Sequence, residues 1–197
     1  MILAHHVIFG AYGFWLPNDP RGSWSEFVGS YELYQFGGAS KTTERRSVAH
    51  RPHDRGLRLA AKEALERPAV RFDARQIEAV GAGIETYVTK SKLPVWACAV
   101  MPDHVHIVIA NTVMSVEQRV IQLKGSATET LCDRLIHPFQ QDLPPSARPP
   151  KCFARGEWKV FLNTDEDVER AIRYVENNPL KEGLPRQFWK FISPWRQ

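Results

Sequence analysis

The stretch Met101-Pro102-Asp103-His104-Val105-His106-Ile107-Val108-Ile109 constrains this chain more than any other. Its β-branched content and its alternation predict a strand. Side chains on a strand point to opposite faces in turn, so His104 and His106 share one face while Val105, Ile107 and Ile109 share the other. The apolar face must meet a core. The imidazole face then turns outward, and two imidazoles on neighbouring outward positions form half of a metal site. Two unrelated histidines on a solvated strand face are the plainer alternative.

The 197 residues, 43% of them hydrophobic, suit one globular domain with a real core and an elaborated loop. No uninterrupted apolar run approaches the ~20 residues of a membrane span, so no membrane partner is expected. Met1 to Phe14 is apolar, yet it lacks a basic leader and carries His5 and His6, which argues against a signal peptide. Three widely spaced cysteines, Cys98, Cys132 and Cys152, fit reduced thiols in a cytoplasmic setting better than a disulfide framework or a paired-cysteine zinc site. Between residues 41 and 58, Lys41, Arg45, Arg46, Arg51, Arg55 and Arg58 face only Glu44 and Asp54, a local +4 that equals the net charge of the whole chain. Arg45, Arg46 and Arg51 are therefore candidate contacts to a polyanion, set against the plainer reading of a solvated loop.

In chain order, Ile2 to Gly10 reads as a buried first strand, followed by turn chemistry around ring anchors from Tyr12 to Trp24. Residues 25–72 hold no sustained period and read as an insertion, with a short helix near Leu57–Leu65. Asp73 caps a helix to about Lys90 that carries Ile77, Val80, Ile84, Tyr87 and Val88 on one face. Leu93 to Met101 is the second strand, and Pro102-Asp103 turns it into the histidine strand as a hairpin. Ser115 opens a helix with Val116, Val120, Leu123, Ala127 and Leu131 at helical spacing, ending by His137-Pro138. Gln140 to Lys151 is a Pro-rich linker and Glu157 to Leu162 a short fourth strand. The resulting β-α-β-β-α-β order is the α+β, ferredoxin-like arrangement: an antiparallel sheet with helices on one face. The other face is left for a site, and His104 and His106 point into it.

A last helix starts at the N-cap Thr164, with Asp165, Glu166 and Asp167 where the helix dipole favours negative charge. Val168, Ala171, Ile172 and Val175 form its apolar stripe. Tyr174 and Asn178 fall on one flank as an i, i+4 pair. Pro179 disfavours helical geometry at Asn178, so the helix is expected to end there. A flank tyrosine can simply pack under a loop. Together, however, two imidazoles on a strand and a phenol and amide on a helix suit a particular chemistry. The histidines and the amide oxygen can hold a divalent cation with positions open for a phosphate oxygen, and the tyrosine can attack the polarised phosphorus.

The Met-Pro-Asp-His-Val-His-Ile-Val-Ile stretch resembles the Met-Pro-Asn-His-hydrophobic-His motif of HUH single-tyrosine transposases. Arg173-Tyr174-Val175-Glu176-Asn177-Asn178-Pro179-Leu180-Lys181-Glu182-Gly183 resembles their Tyr-x-x-x-Asn-Pro-x-x-x-Gly segment. The match is nearest to the REP-associated tyrosine transposases, and Gly13-Phe14-Trp15-Leu16-Pro17-Asn18-Asp19-Pro20-Arg21-Gly22 is similar to an N-terminal segment of some members. The resemblance spans residues 2 to about 184 and leaves 25–72 unanchored. It implies a ferredoxin-like fold, a Mg²⁺ or Mn²⁺ ion, and cleavage and rejoining of single-stranded or hairpin DNA. By motif, His104 and His106 are metal ligands, Tyr174 is the nucleophile, and Asn178 takes the place of a third polar ligand. Asp103 replaces the usual Asn, and Glu176 stands where many relatives carry His. The resemblance also implies a monomer in preference to a homodimer, as for the longer single-copy members.

Two further features bear on contact with DNA. Lys124, in the second helix, is a candidate phosphate contact, with a surface lysine as the plain alternative. The tail, residues 180–197, interleaves Lys181, Arg186, Lys190 and Arg196 with Phe188, Trp189, Phe191 and Trp195; such rings either stack on bases or pack on their own domain. Two rival functions follow from the same residues. A histidine-triad-like nucleotide hydrolase needs a third alternating histidine where Val108 stands. A catalytically inactive hairpin-binding protein needs only the scaffold.

Overall fold

The computed structural model describes residues 1–17, 31–37, 53–141, 143–144 and 147–195. Strand β1 (Ala4–Gly10) is followed by a one-turn helix α1 (Tyr31–Tyr34), by helix α2 (Arg55–Glu63) and by helix α3 (Ala74–Ser91). Strands β2 (Val95–Val100) and β3 (His104–Ala110) form the hairpin, and helix α4 (Val116–Asp133), strand β4 (Trp158–Leu162) and helix α5 (Asp165–Lys181) complete the chain. Among the described residues, the four strands form one antiparallel sheet in the order β2-β3-β1-β4. That is the ferredoxin-like topology expected from the element order. Arg45, Arg46 and Arg51 of the basic segment lie outside the described residues, as do positions 18–30, whereas Arg55 and Arg58 fall on α2.

The helices begin where their polar caps permit. Asp73 accepts from Gln76 N while the Gln76 side chain accepts from Asp73 N, a reciprocal capping box; Ser115 and Thr164 cap α4 and α5 by accepting from Gln118 N and Asp167 N. One face of the sheet, with Val7, Phe9, Val105, Ile107 and Ile109, is sealed by α3 and α4 through Val80, Ile84, Val88, Val120, Leu123 and Leu131. Each such side chain stabilises the fold by about 1.5–3 kcal/mol on burial. The opposite face carries Ala4, Ala97, Ala99, Met101 and Val108, and α5 lays Val168, Ala171 and Val175 on them.

Pro179 does not end α5 at Asn178 as its sequence position suggested. The helix continues to Lys181 with Pro179 inside it. Proline removes one donor from the ladder, the bond that would reach back to residue 175, but its φ is helical. Glu182 N and Leu184 N both donate to the Pro179 carbonyl, at 3.1 and 2.8 Å, and Gly183 takes a positive φ of 71° to close the end. The tail packs on its own domain. Gln187 brackets the edge strand at Val100, accepting from its N at 2.8 Å and donating to its O at 2.7 Å. Ser193 N donates to Val95 O at 2.9 Å, and Trp195 meets Trp96 with ring centroids 4.3 Å apart. These contacts cover the free edge of β2, which would otherwise offer unpaired backbone groups to another strand.

Helices α3 and α4 approach so closely that a Cβ on Gly83 would lie 2.5 Å from Ala127 Cα and 2.6 Å from Ser126 O. A Cβ on Gly125, also mid-helix, would meet nothing within 4 Å. Gly83→Ala is expected to destabilise the fold by about 1–3 kcal/mol despite better helix propensity. Gly125→Ala is expected to stabilise it by about 0.5–1 kcal/mol, as read from urea unfolding midpoints.

Candidate active site on the second face of the sheet

Antiparallel pairing of β1 with β3 sets Gly10 opposite His104, Ile8 opposite His106 and His6 opposite Val108. Opposed residues share a face, so His6, His104 and His106 all project to the side that α5 covers in part. On the other side of His106, β2 places Ala99, a small residue that leaves room for the ring. The imidazole face, expected to be open, is roofed: His106 is only 4% exposed. The roof has two parts. Helix α5 docks by its apolar stripe, and Phe14 folds back onto His104, with ring centroids 4.6 Å apart and near-parallel planes. Gly10 is what permits that return, since a Cβ there would lie 2.6 Å from the Phe14 ring.

The side chains form a connected row. Asp103 Oδ1 accepts from His104 Nδ1 at 2.6 Å; His104 Nε2 lies 2.9 Å from His106 Nε2; His106 Nδ1 lies 3.0 Å from His6 Nε2. Burial lowers the pKa of His6 to about 4, so its ring is neutral at pH 7. Burial also holds His106 well below the usual imidazole range, with His104, His6 and Lys181 adding to the effect. A neutral imidazole is the form that can ligate a metal.

Tyr174 stands against this row. Its ring meets His6 and His106 edge-on, with centroids 5.7 and 5.6 Å apart, while the residue keeps 40% of its surface exposed. Lys181 places its Nζ 4.6 Å from the Tyr174 ring centroid, which requires the helical turn that Pro179 was expected to prevent. Asn178 is buried one turn after Tyr174, and its Nδ2 has no hydrogen-bond partner. Glu176 points away and is exposed. Around Tyr174 an open groove is lined by Arg170, Arg173, Asn177, Leu180 and Lys181.

The donor set suits a divalent cation. Two nitrogens each about 2.1 Å from one ion, at a right angle, would lie about 3.0 Å apart, and the two Nε2 atoms of His104 and His106 are 2.9 Å apart. Their Nδ1 atoms are already engaged by Asp103 and His6, the outer partners that metal-binding histidines need. His6 lies behind His106, on its Nδ1 side, and does not add a third nitrogen. Accordingly, no three His, Cys, Asp or Glu side chains gather as a metal-ligand set among the described residues. A third donor would be the Asn178 amide oxygen, with oxygens of water or substrate completing the shell.

Comparison with family models finds no match, and comparison with curated proteins finds none either. Among solved structures, the chain is similar to a REP-associated tyrosine transposase bound to a REP hairpin, at 11% identity and a TM-score of 0.47, over 93% of this chain and 70% of that one. It is also similar to a Deinococcus radiodurans R1 protein assigned as a transposase, at 13% identity and a TM-score of 0.37, over 90% of this chain and 91% of that one.

The structure thus brings His104, His106 and Tyr174 together, with Asn178 buried on the same helix. It adds His6, Phe14 and Lys181, which the sequence did not single out for the site. Even-numbered positions of β1 share a face, so His6 was a candidate once β1 was paired with β3; the register of that pairing was not legible. Lys124 is placed elsewhere. It lies on the opposite face of the sheet, over the Phe9 ring, and donates to Ala154 O at 2.9 Å and Gly156 O at 2.6 Å. Burial lowers its pKa to about 8, against a smaller opposing effect from Glu157. Between that value and its unfolded value near 10.5, the unfolded chain holds the extra proton, so stability attributable to Lys124 rises with pH across this window. Lys124→Met is expected to remove that rise relative to wild type in urea titrations at pH 8 and pH 10, and to leave DNA affinity at fixed salt unchanged.

Proposed function

We propose that the chain is a transposase-like enzyme that cleaves and rejoins single-stranded DNA through Tyr174, with a Mg²⁺ or Mn²⁺ ion held by His104 and His106. The observation that carries the reading is the packing of a helix-borne phenol edge-on against the strand-borne imidazoles, His106 among them. The two motif resemblances, in the expected order, support the same assignment. In the proposed step a bond forms between Tyr174 Oη and the phosphorus as the bond from phosphorus to the 3′-oxygen breaks. The phenolic proton leaves to solvent at the exposed edge of the ring, and the freed 3′-oxygen takes a proton. The 5′-phosphate stays on the tyrosine until a 3′-hydroxyl reverses the step, so no external energy source is needed.

When bound, the cation supplies neutralisation of charge developing on the phosphate oxygens. The chain's own residues do the rest. Helix α5 orients the phenol, and the roof of Phe14 and α5 restricts water at the imidazoles. Arg170, Arg173 and Lys181 border the groove beside Tyr174, where a phosphate backbone would be attracted. Asn178 contributes its amide.

Tyr174→Phe keeps the ring packing and removes one oxygen, so the fold should change by less than about 1 kcal/mol. With labelled single-stranded oligonucleotides and Mn²⁺, wild type and Tyr87→Phe are expected to give an SDS-stable adduct and strand cleavage, and Tyr174→Phe neither. Cleavage that persists in Tyr174→Phe would point to a metal-activated water. In binding assays at one stated salt concentration, hairpin and single-stranded DNA should be preferred over plain duplex; equal affinities would count against the proposal.

A further inference from the structure

The row of imidazoles has a direction. Asp103 Oδ1 accepts from His104 Nδ1 at 2.6 Å, so in a neutral His104 the one proton sits on Nδ1 and Nε2 offers a lone pair. The 2.9 Å contact between His104 Nε2 and His106 Nε2 is then a hydrogen bond only when His106 carries its proton on Nε2. That leaves His106 Nδ1 as an acceptor, and the 3.0 Å contact with His6 Nε2 is a hydrogen bond only when His6 carries its proton on Nε2. Every contact in the row is satisfied in this one neutral arrangement, and in it a proton blocks His106 Nε2.

A cation needs both Nε2 lone pairs. The His106 proton must then sit on Nδ1, where the atom facing it is His6 Nε2, and His6 must accept. We propose that His6 is a positioning residue that sets the tautomer of His106, donating to Nδ1 in the metal-free protein and accepting from it when a divalent cation takes the His104–His106 pair. The His6 Nε2 proton crosses to His106 Nδ1, the proton displaced from His106 Nε2 goes to solvent and His6 Nδ1 takes one from solvent, so neither ring changes its charge. An imidazole can play both parts because one nitrogen can serve as donor or acceptor. A residue able only to accept would lock His106 in the ligating form, and an apolar one would leave its Nδ1 buried and unpaired. The inference rests on the metal reading of His104 and His106 given above.

The test combines ¹⁵N imidazole spectra with Mn²⁺ affinities. In the wild-type protein with EDTA, long-range ¹H–¹⁵N correlations should show both His6 and His106 protonated on Nε2. With saturating Mg²⁺ both should change to Nδ1. An unchanged His106 tautomer with Mg²⁺ bound would overturn the proposal without any variant being needed. His6→Phe should weaken Mn²⁺ binding by about 10–100-fold. His6→Gln, whose amide can donate or accept at the same place, should stay within about threefold of wild type. Thermal melts identify any variant that does not fold. If His6→Phe folds and binds Mn²⁺ as wild type does, or if His6→Gln folds and binds as weakly as His6→Phe, His6 does not set the tautomer. His106→Ala separates the two claims. Loss of Mn²⁺ binding there with none in His6→Phe leaves the metal reading standing and removes only the role of His6. Unchanged binding in His106→Ala removes the metal reading itself.

Discussion

The antiparallel register of β1 on β3 is the constraint on which the site depends. It sets Gly10 opposite His104 and Ile8 opposite His106, and so brings His6 diagonally beside His106. A slip of one residue would turn Val7 and Phe9 out of the main core and His6 into it. The cost of exposing those two side chains, about 1.5–3 kcal/mol each, is what holds the register. Stability on one face of the sheet therefore sets the geometry of the chemistry on the other.

The second face meets two demands at once. Part of it is apolar, and Ala4, Ala97, Ala99, Met101 and Val108 give α5 a surface to dock on. The rest is a polar row that would be costly to bury unpaired. Asp103, His104, His106 and His6 satisfy one another in sequence, which is why three imidazoles can sit beneath a helix and a phenylalanine. Helix α5 bridges both parts. Its stripe is anchored on the apolar patch, and Tyr174 on the adjoining flank is carried to the histidines. Continuing the helix through Pro179 brings Lys181 over the same ring.

Lys124 shows how a charge can serve the fold while resembling a ligand contact. Its ammonium joins α4 to the segment before β4 by donating to two backbone carbonyls, on the face that α3 and α4 seal. The tail behaves similarly. Gln187, Ser193 and Trp195 close the β2 edge, and Trp189 packs on α3 at Gly81, so most of the rings that suggested base stacking are spent within the domain. Phe188 remains exposed.

Local pattern alone determined much of this protein. Alternation around His104 and His106 placed both on one face; Asp73, Ser115 and Thr164 marked the starts of three helices; and the order of elements carried the topology, because a hairpin between two helical crossovers closes in few ways. The pairing of Tyr174 with Asn178 on one flank of α5 was likewise a matter of helical period. Tertiary structure decided the rest. Whether the imidazole face was open or roofed depended on how α5 and Phe14 return to the sheet. His6 joined the site only through its partner strand, about a hundred residues away in sequence, and no local period records that contact. The end of α5 turned on whether later residues could cap the Pro179 carbonyl, and Leu184 and Glu182 do so. Lys124 and Tyr174 both looked like candidates for contact with phosphate, and the fold put them on opposite faces of one sheet. The end of α5 is a local matter, but the other three cases share one physical reason. Periodicity fixes which way a side chain leaves its own element, whereas what it then meets is set by the packing of elements distant in the chain.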